Sequence, residues 1–351
     1  MNGYDLARPL LFSLPAETAH GFVHRGLELA QATPLADAME SRYTVEDARL
    51  QVEAFDQTFG NPVGVAAGFD KNATVVGGLA ALGFGFVEVG GVTAHPQDGN
   101  PRPRMFRLRE DEAIVNRMGL NNDGAAAVGD RLAALDAPVP VGVNVAKSEH
   151  VDAEGAPADY RESYEQVAAG GDFFVVNVSC PNSQGFEELQ NRETMARILG
   201  ELRDAGAAPL LVKLSPDLPD PAMEDALDLV TEFGLEGVVA VNTTTERPDG
   251  LRSPARAETG GLSGEPIEER ATETVRFVAE RVDAPVVGVG GVASAADAYR
   301  KIRAGASVVQ LYTGLVYEGP SLAREINRGL LDLLERDGFE SVEAAIGTDL
   351  E

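Results

Sequence analysis

The sequence predicts an α/β protein, a (β/α)₈ TIM barrel carrying an N-terminal helical cap. Three observations lead there. Short Val-rich runs alternate with longer amphipathic stretches from about residue 60 onward, eight such units occur, and the chain's 351 residues suffice for one such barrel plus an extension. An open doubly wound sheet is the runner-up, but eight units is the number that closes a barrel.

The elements follow in order. Residues 1–45 fall outside the repeat and read as two short helices divided near Pro15. Leu6, Leu10, Leu11 and Leu14 form one apolar stripe, and Ala19, Phe22, Val23, Leu27 and Ala30 form another. Either both stripes pack on the barrel, or the cap offers an apolar face to a membrane or a lipid-like ligand. The stretch LQVEAFDQTFGNP reads as a hairpin plugging the barrel floor. The eight strand-like runs begin at Pro62, Phe84, Val139, Phe173, Pro209, Gly237, Ala284 and Ser307. Each is nearly continuous in Val and its relatives, as expected of parallel strands buried on both faces. Helical patterns lie between them at Asp159 to Ala169, Arg192 to Ala205, Asp220 to Phe233, Glu265 to Arg281, and Ser294 to Ala304, the last ended by Gly305. The catalytic barrel is thus expected over 46–340, and 341–351 as a loosely held tail.

Composition bounds the partners. With 56 Asp and Glu against 29 Lys and Arg, the formal net charge is −27, which repels phosphate backbones and disfavours nucleic acid. The single cysteine, Cys180, excludes an internal disulfide framework and a Cys-cluster zinc site. No run approaches the ~20 apolar residues of a membrane span. Only four cations are lysines: Lys71, Lys147, Lys213 and Lys301. Abundant acid with arginine as the main cation fits a surface kept hydrated in concentrated salt, where self-repulsion is screened; a very acidic protein of ordinary salt is the alternative.

Barrel enzymes build their sites at the C-terminal ends of the strands. Lys71 follows strand 1, Asn144 and Lys147 end strand 3, and Asn177, Ser179, Cys180 and Asn182 end strand 4. Lys213 lies in strand 5, and Asn242 and Thr243 end strand 6. Lys301, on a helix, reads as a scattered survivor. The glycines of GVGG after strand 7 and YTG after strand 8 supply backbone N–H groups at the corner where barrels bind phosphate, although glycine also serves tight turns. A buried Lys213 must face a partner or an electron-rich ring. FMN satisfies both demands, and no GxGxxG near the N-terminus favours a dinucleotide instead. Asn116, Asn121, Asn144, Asn177, Asn182 and Asn242 at one rim point to a small planar substrate rich in amide and carbonyl groups. Cys180 is either an inert buried thiol or a thiolate base activated by nearby cations. His20 and His24 are spaced i, i+4, but no third ligand is evident, so no metal site is expected.

Nine ordered motifs (AAGFDKN, GNPRPRMFRL, NRMGLNN, GVNVAK, NVSCPN, VNTTT, TGGLSG, GVGGV and QLYTG) span almost the whole barrel. Together they resemble the dihydroorotate dehydrogenases, flavin enzymes of pyrimidine synthesis. The extension with AETAH resembles the class 2 members, which associate peripherally with the cytoplasmic face of the cell membrane and pass electrons to quinone. The resemblance implies oxidation of (S)-dihydroorotate to orotate with FMN as first acceptor. It implies FMN contacts at Ala67, Gly68, Gly91, Asn144, Asn177, Lys213, Val241, Gly264, Gly291, Tyr312 and Thr313. It implies substrate contacts at Lys71, Asn116, Arg117, Met118, Gly119, Leu120, Asn177, Asn182, Asn242 and Thr243, and a quinone tunnel at His20 and Arg107.

Cys180 would take the proton from C5 of the substrate, Lys71 would balance its carboxylate, and Lys213 would stabilise negative charge on the reduced flavin. Two positions depart from the class 2 pattern: Cys180 stands where Ser is typical, as in the soluble class 1 enzymes, and Gly91 stands where Ser or Thr is usual. The whole extension nonetheless favours quinone over a soluble acceptor such as fumarate or NAD. A different FMN barrel enzyme and a non-catalytic phosphate-binding barrel are the remaining rivals. A monomer on the membrane is the expected state.

Overall fold

The computed structural model describes residues 3–179 and 189–350. Strands β1 (Val52–Ala54) and β2 (Gln57–Phe59) form the expected hairpin. The barrel strands are β3 (Val63–Val65), β4 (Phe86–Val92), β7 (Val141–Ala146), β8 (Phe173–Asn177), β9 (Leu210–Leu214), β10 (Gly237–Ala240), β12 (Val286–Val289) and β13 (Ala306–Leu311). They pair in parallel, and β13 closes onto β3, giving the predicted closed barrel. Each predicted run overlaps one of these strands, and β13 begins one residue before its run. Every residue of β7, β8 and β9 is buried, because the strands are covered by helices outside and by one another's side chains inside. The hairpin seals the floor: the Phe59 ring stands edge-on to Phe86 at 5.0 Å, and Phe55 meets Phe173 at 5.8 Å.

A second sheet escaped the sequence reading. Strands β5 (Met105–Leu108), β6 (Ala113–Asn116) and β11 (Gly261–Gly264) form an antiparallel sheet in the order β11-β6-β5. Its strands are short and carry Arg107, Asn116 and Ser263, so they lack the Val-rich signature of the barrel.

The cap has three helices rather than the expected two: α1 (Gly3–Ser13), α2 (Ala16–Gln31) and α3 (Leu35–Tyr43). Its inner face packs, with Phe12, Ala19, Leu27 and Ala30 buried. Its outer face does not. Among the described residues, the large exposed apolar side chains are Leu6, Leu10, Phe22, Val23, Leu29 and Leu35, all in the cap, with Leu6 and Leu10 at 70% and 72% exposure.

The C-terminal segment corrects an expectation. Instead of hanging loose, it forms a short helix at Val342–Ala345 with Val342 and Ala345 buried. The N–H groups of Gly347 and Asp349 then donate to the carbonyls of Ile302 and Arg303. Two apolar side chains, a Ser341 N-cap, these two hydrogen bonds and an Arg303–Asp349 ion pair hold it.

Candidate active site

The C-terminal ends of the barrel strands enclose a cavity. Of the positions predicted to meet the cofactor, Ala67, Gly68, Gly91, Asn177, Lys213, Val241, Gly264, Gly291, Tyr312 and Thr313 line it. Of those predicted to meet substrate, Lys71, Asn116, Met118, Gly119, Leu120, Asn177, Asn242 and Thr243 line it. Cys180 and Asn182 lie outside the described residues.

The loop after β3 is shaped by Asp70. Its buried carboxylate accepts the N–H groups of Thr74 at 3.0 Å and Val75 at 2.7 Å, and lies 3.7 Å from His24 Nε2. Burial alone would raise this acid; the bonds from His24 and the two N–H groups hold it below the usual carboxylate range. The neighbouring Lys71 donates to Gly68 O. Desolvation, with the Arg104 charge second, lowers the Lys71 ammonium to about 8.

Beneath the cavity runs a buried polar chain. Asn242 Nδ2 donates to Asn177 Oδ1 at 3.5 Å, and Asn177 Nδ2 donates to Asn144 Oδ1 at 3.1 Å. Asn144 Nδ2 donates to Glu88 Oε1 at 2.7 Å, and Gln310 Nε2 donates to Glu88 Oε2 at 2.6 Å. Lys213 Nζ stands 3.9 Å from Glu88 Oε1, so the buried ammonium has its partner. Asn144 thus supports the cavity from below, and a Cβ on Gly91 would stand 3.1 Å from its Oδ1. The two departures from sequence expectation here are additions: Glu88 and Gln310 were overlooked. A lone acid inside FVEVGG was the available signal, since charged residues are almost never fully buried unless paired.

At the β12–β13 corner, Gly290 and Gly291 take positive φ angles of 113° and 72°, and a Cβ on Gly291 would fall 2.4 Å from Glu268 Cα. Only glycine fits, and its backbone faces the cavity beside Thr313, whose hydroxyl is 2.8 Å from Ser263 Oγ.

The wall formed by β5, β6 and β11 explains one correction. Arg117, predicted to touch substrate, pairs instead with Glu258 at 2.8 Å and stacks on Phe106 at 4.5 Å. Successive side chains alternate along extended backbone, so Asn116 and Met118 face the cavity while Arg117 faces away. Lys147 is buried just past β7, where its ammonium donates to Ser148 O at 2.9 Å and to Val151 O. Lys301 is no scattered survivor: fully buried, it donates to Thr272 Oγ1 at 2.6 Å and lies 3.8 Å from Glu268.

A second cavity lies between the cap and the barrel. It is lined mainly by apolar groups, among them Leu11, Phe12, Ala19, Val23, Leu27, Phe69 and Leu315, together with His20 and Arg107. Met105 and Tyr312 line both cavities, so the two adjoin. Burial above all, then Lys71 and His24, push His20 down to about 3. Arg107 lies over the Phe12 ring at 4.7 Å and donates to Leu11 O at 3.2 Å and to Leu14 O, capping the end of α1. Glu17 of α2 ties the cap to the mouth through Arg104 at 2.8 Å and Arg102 at 3.0 Å.

A polar, glycine-cornered barrel mouth with a buried lysine, opening beside an apolar side cavity, defines the ligand site of a barrel enzyme. Residues 49–334 match the family described as dihydroorotate dehydrogenase, and the chain belongs to that family. It is 73% identical over 350 residues to the dihydroorotate dehydrogenase (quinone) of Haloarcula marismortui, covering 100% of both chains. It is 63% identical over 350 residues to the protein of that name from Natronomonas pharaonis, again covering 100% of both. Among solved structures, the ligand-free enzyme of Eimeria tenella superposes with a TM-score of 0.89 at 36% identity, covering 95% of this chain and 99% of that one. The Eimeria tenella enzyme bound to ferulenol gives a TM-score of 0.86, also at 36% identity, covering 94% and 95%.

Proposed function

We propose that the chain oxidises (S)-dihydroorotate to orotate, with FMN as bound cofactor and a quinone as final acceptor, in the synthesis of pyrimidines. The observation that carries this reading is the adjacency of the two cavities, one polar and one apolar, through Met105 and Tyr312. The residues present suit FMN. Gln310 and Asn121 line the mouth and each keeps a buried acceptor with no donor among the described residues, Lys213 supplies a cation, and the Gly290–Gly291 turn supplies backbone N–H groups. Ala67, Gly68, Gly91, Asn177, Lys213 and Val241 would hold the ring system, with Asn144 supporting Asn177 from beneath, and Gly264, Gly291, Tyr312 and Thr313 the phosphate end. When bound, FMN supplies a two-electron acceptor.

The chain's own residues do the rest. Lys71 faces the substrate carboxylate, while Asn116, Asn177, Asn182, Asn242 and Thr243 orient the ring by two-way hydrogen bonds. Cys180, as thiolate, takes the proton from C5. His20, neutral because buried, and Arg107 present hydrogen-bonding groups to the quinone inside otherwise apolar walls. The exposed leucines of the cap rest on the cytoplasmic face of a membrane; no described helix is long and apolar enough to cross one. The acidic surface suits a cytoplasm of high salt, and the protein acts as a monomer.

The test is direct. The purified protein is expected to be yellow and to bleach on anaerobic addition of dihydroorotate. A colourless protein, or a flavin indifferent to dihydroorotate, contradicts the reading.

A further inference from the structure

Glu88 has no part in the chemistry described above, yet it is wholly buried in the barrel and two amides converge on it. A carboxylate only accepts hydrogen bonds, whereas an amide has one accepting and one donating side. The consequence runs in both directions from Glu88. Asn144 must turn its NH₂ toward Glu88 and therefore its Oδ1 toward Asn177, which must in turn offer NH₂ to Asn144 and its own Oδ1 to Asn242. Gln310 must likewise turn its NH₂ toward Glu88, which leaves its Oε1 as an acceptor without a partner among the described residues, in a residue that lines the cofactor cavity.

We propose that Glu88 is a positioning residue whose carboxylate sets the donor–acceptor polarity of the amides at the barrel mouth, so that Gln310 offers an acceptor, and not an N–H, to the bound cofactor. The proposal rests on the FMN reading and deepens it. An amide at position 88 cannot satisfy both neighbours, because its NH₂ must oppose a second donor on one side. Inversion on the Asn144 side is resisted twice, since Asn177 Oδ1 also accepts the Ser179 N–H at 3.2 Å. Among the described residues the Gln310 side carries no such second constraint, so the inversion falls there and presents the cofactor with a donor where it had met an acceptor.

The experiment compares four forms of the holoprotein: wild type, Glu88→Gln, Gln310→Glu, and the double variant. The readout is release of FMN on dilution, followed by its fluorescence. The single Glu88→Gln change is near-isosteric and is expected to weaken FMN retention by roughly tenfold, the size of one misdirected hydrogen bond. Gln310→Glu alone sets two carboxylates side by side in a buried site and also weakens retention. The double variant restores the polarity: the amide at 88 accepts from Asn144 and donates to the carboxylate at 310, whose second oxygen again offers an acceptor. Its FMN retention is expected within about threefold of wild type, a recovery that loss of packing alone would not produce. Unchanged retention in Glu88→Gln, or a double variant no better than the singles, overturns the proposal. Should a single variant not fold, the double alone decides, with recovery supporting the proposal and loss overturning it. A wild-type protein without flavin would instead sink the FMN reading itself.

Discussion

The barrel mouth and the helical cap solve opposite problems with opposite materials. At the mouth, Asn144, Asn177, Asn242, Gln310 and Lys213 sit on or just past strands; Asn144, Gln310 and Lys213 meet Glu88, and Asn177 and Asn242 extend the chain from Asn144, each amide with a defined partner. In the cap, the cavity is walled by Leu, Val and Phe side chains and holds few polar groups besides His20 and Arg107. Oriented hydrogen bonds on a rigid sheet suit a small polar ring that must be held in register for reaction. Apolar walls on helices, themselves apolar outside, suit a partner that arrives from a lipid phase. The contrast implies two separable half-reactions, and substitutions should divide accordingly.

The largest effect belongs to the mouth. Cys180→Ala is expected to slow flavin reduction by dihydroorotate by about 10² to 10⁴-fold, the contribution of a positioned general base, in anaerobic stopped-flow measurements. Cys180→Ser should retain part of the rate and shift the pH optimum upward, because a hydroxyl ionises less readily than a thiol. Retention of near wild-type reduction in Cys180→Ala would remove the base from this side of the comparison.

Next comes Lys71→Met. Losing a charged hydrogen bond to the substrate carboxylate should raise the KM for dihydroorotate roughly tenfold to a hundredfold, with reoxidation by quinone untouched. The pH dependence follows from burial. Because the Lys71 ammonium is lowered to about 8, it is charged below that pH and neutral above it, so affinity for the anionic substrate should fall as pH rises through about 8. Affinity constant to pH 10 would show that the carboxylate is balanced elsewhere.

A smaller effect is expected from His20→Ala: roughly a tenfold rise in the KM for quinone, with flavin reduction unchanged. Since His20 is lowered to about 3, it stays neutral between pH 5 and 8, and the quinone half-reaction should show no histidine titration in that window. A slope near pH 6.5 would place a charged histidine in the tunnel.

The smallest catalytic effect is that of the double change Leu6→Ser and Leu10→Ser, which should leave turnover with a water-soluble quinone unchanged. Co-sedimentation with vesicles should nevertheless drop by about tenfold or more, given ~1.5–3 kcal/mol for each leucine that would be buried in lipid. Undiminished vesicle binding would mean that the exposed face of the cap has another purpose.

Legibility also differed between the two regions. All eight barrel strands could be read, because burial on both faces writes a continuous apolar run. Lys71 and Lys213 stood out because lysine is scarce in this chain. Glu88 and Gln310 did not, since each is a single polar residue inside a Val-rich run, and only packing reveals that the two meet. The sheet of β5, β6 and β11 was invisible for a related reason: β5 and β6 form a short hairpin without a Val-rich run, and β11 joins it from about 150 residues away, as Ser263 and Ile114 show, a pairing that no local pattern encodes. In the cap, helical stripes were evident, but which apolar residues faced inward was not. Leu27 packs while Leu29 stays exposed, a difference set by where the barrel stands.

The central claim is that one chain joins a dihydroorotate site to a quinone site. It is tested most directly by reducing the protein anaerobically with one equivalent of dihydroorotate and then offering, separately, a short-chain quinone, fumarate and NAD. The account predicts that quinone restores the yellow colour at a rate sufficient for turnover while fumarate and NAD do not. Rapid recovery with fumarate or NAD, and none with quinone, would contradict it.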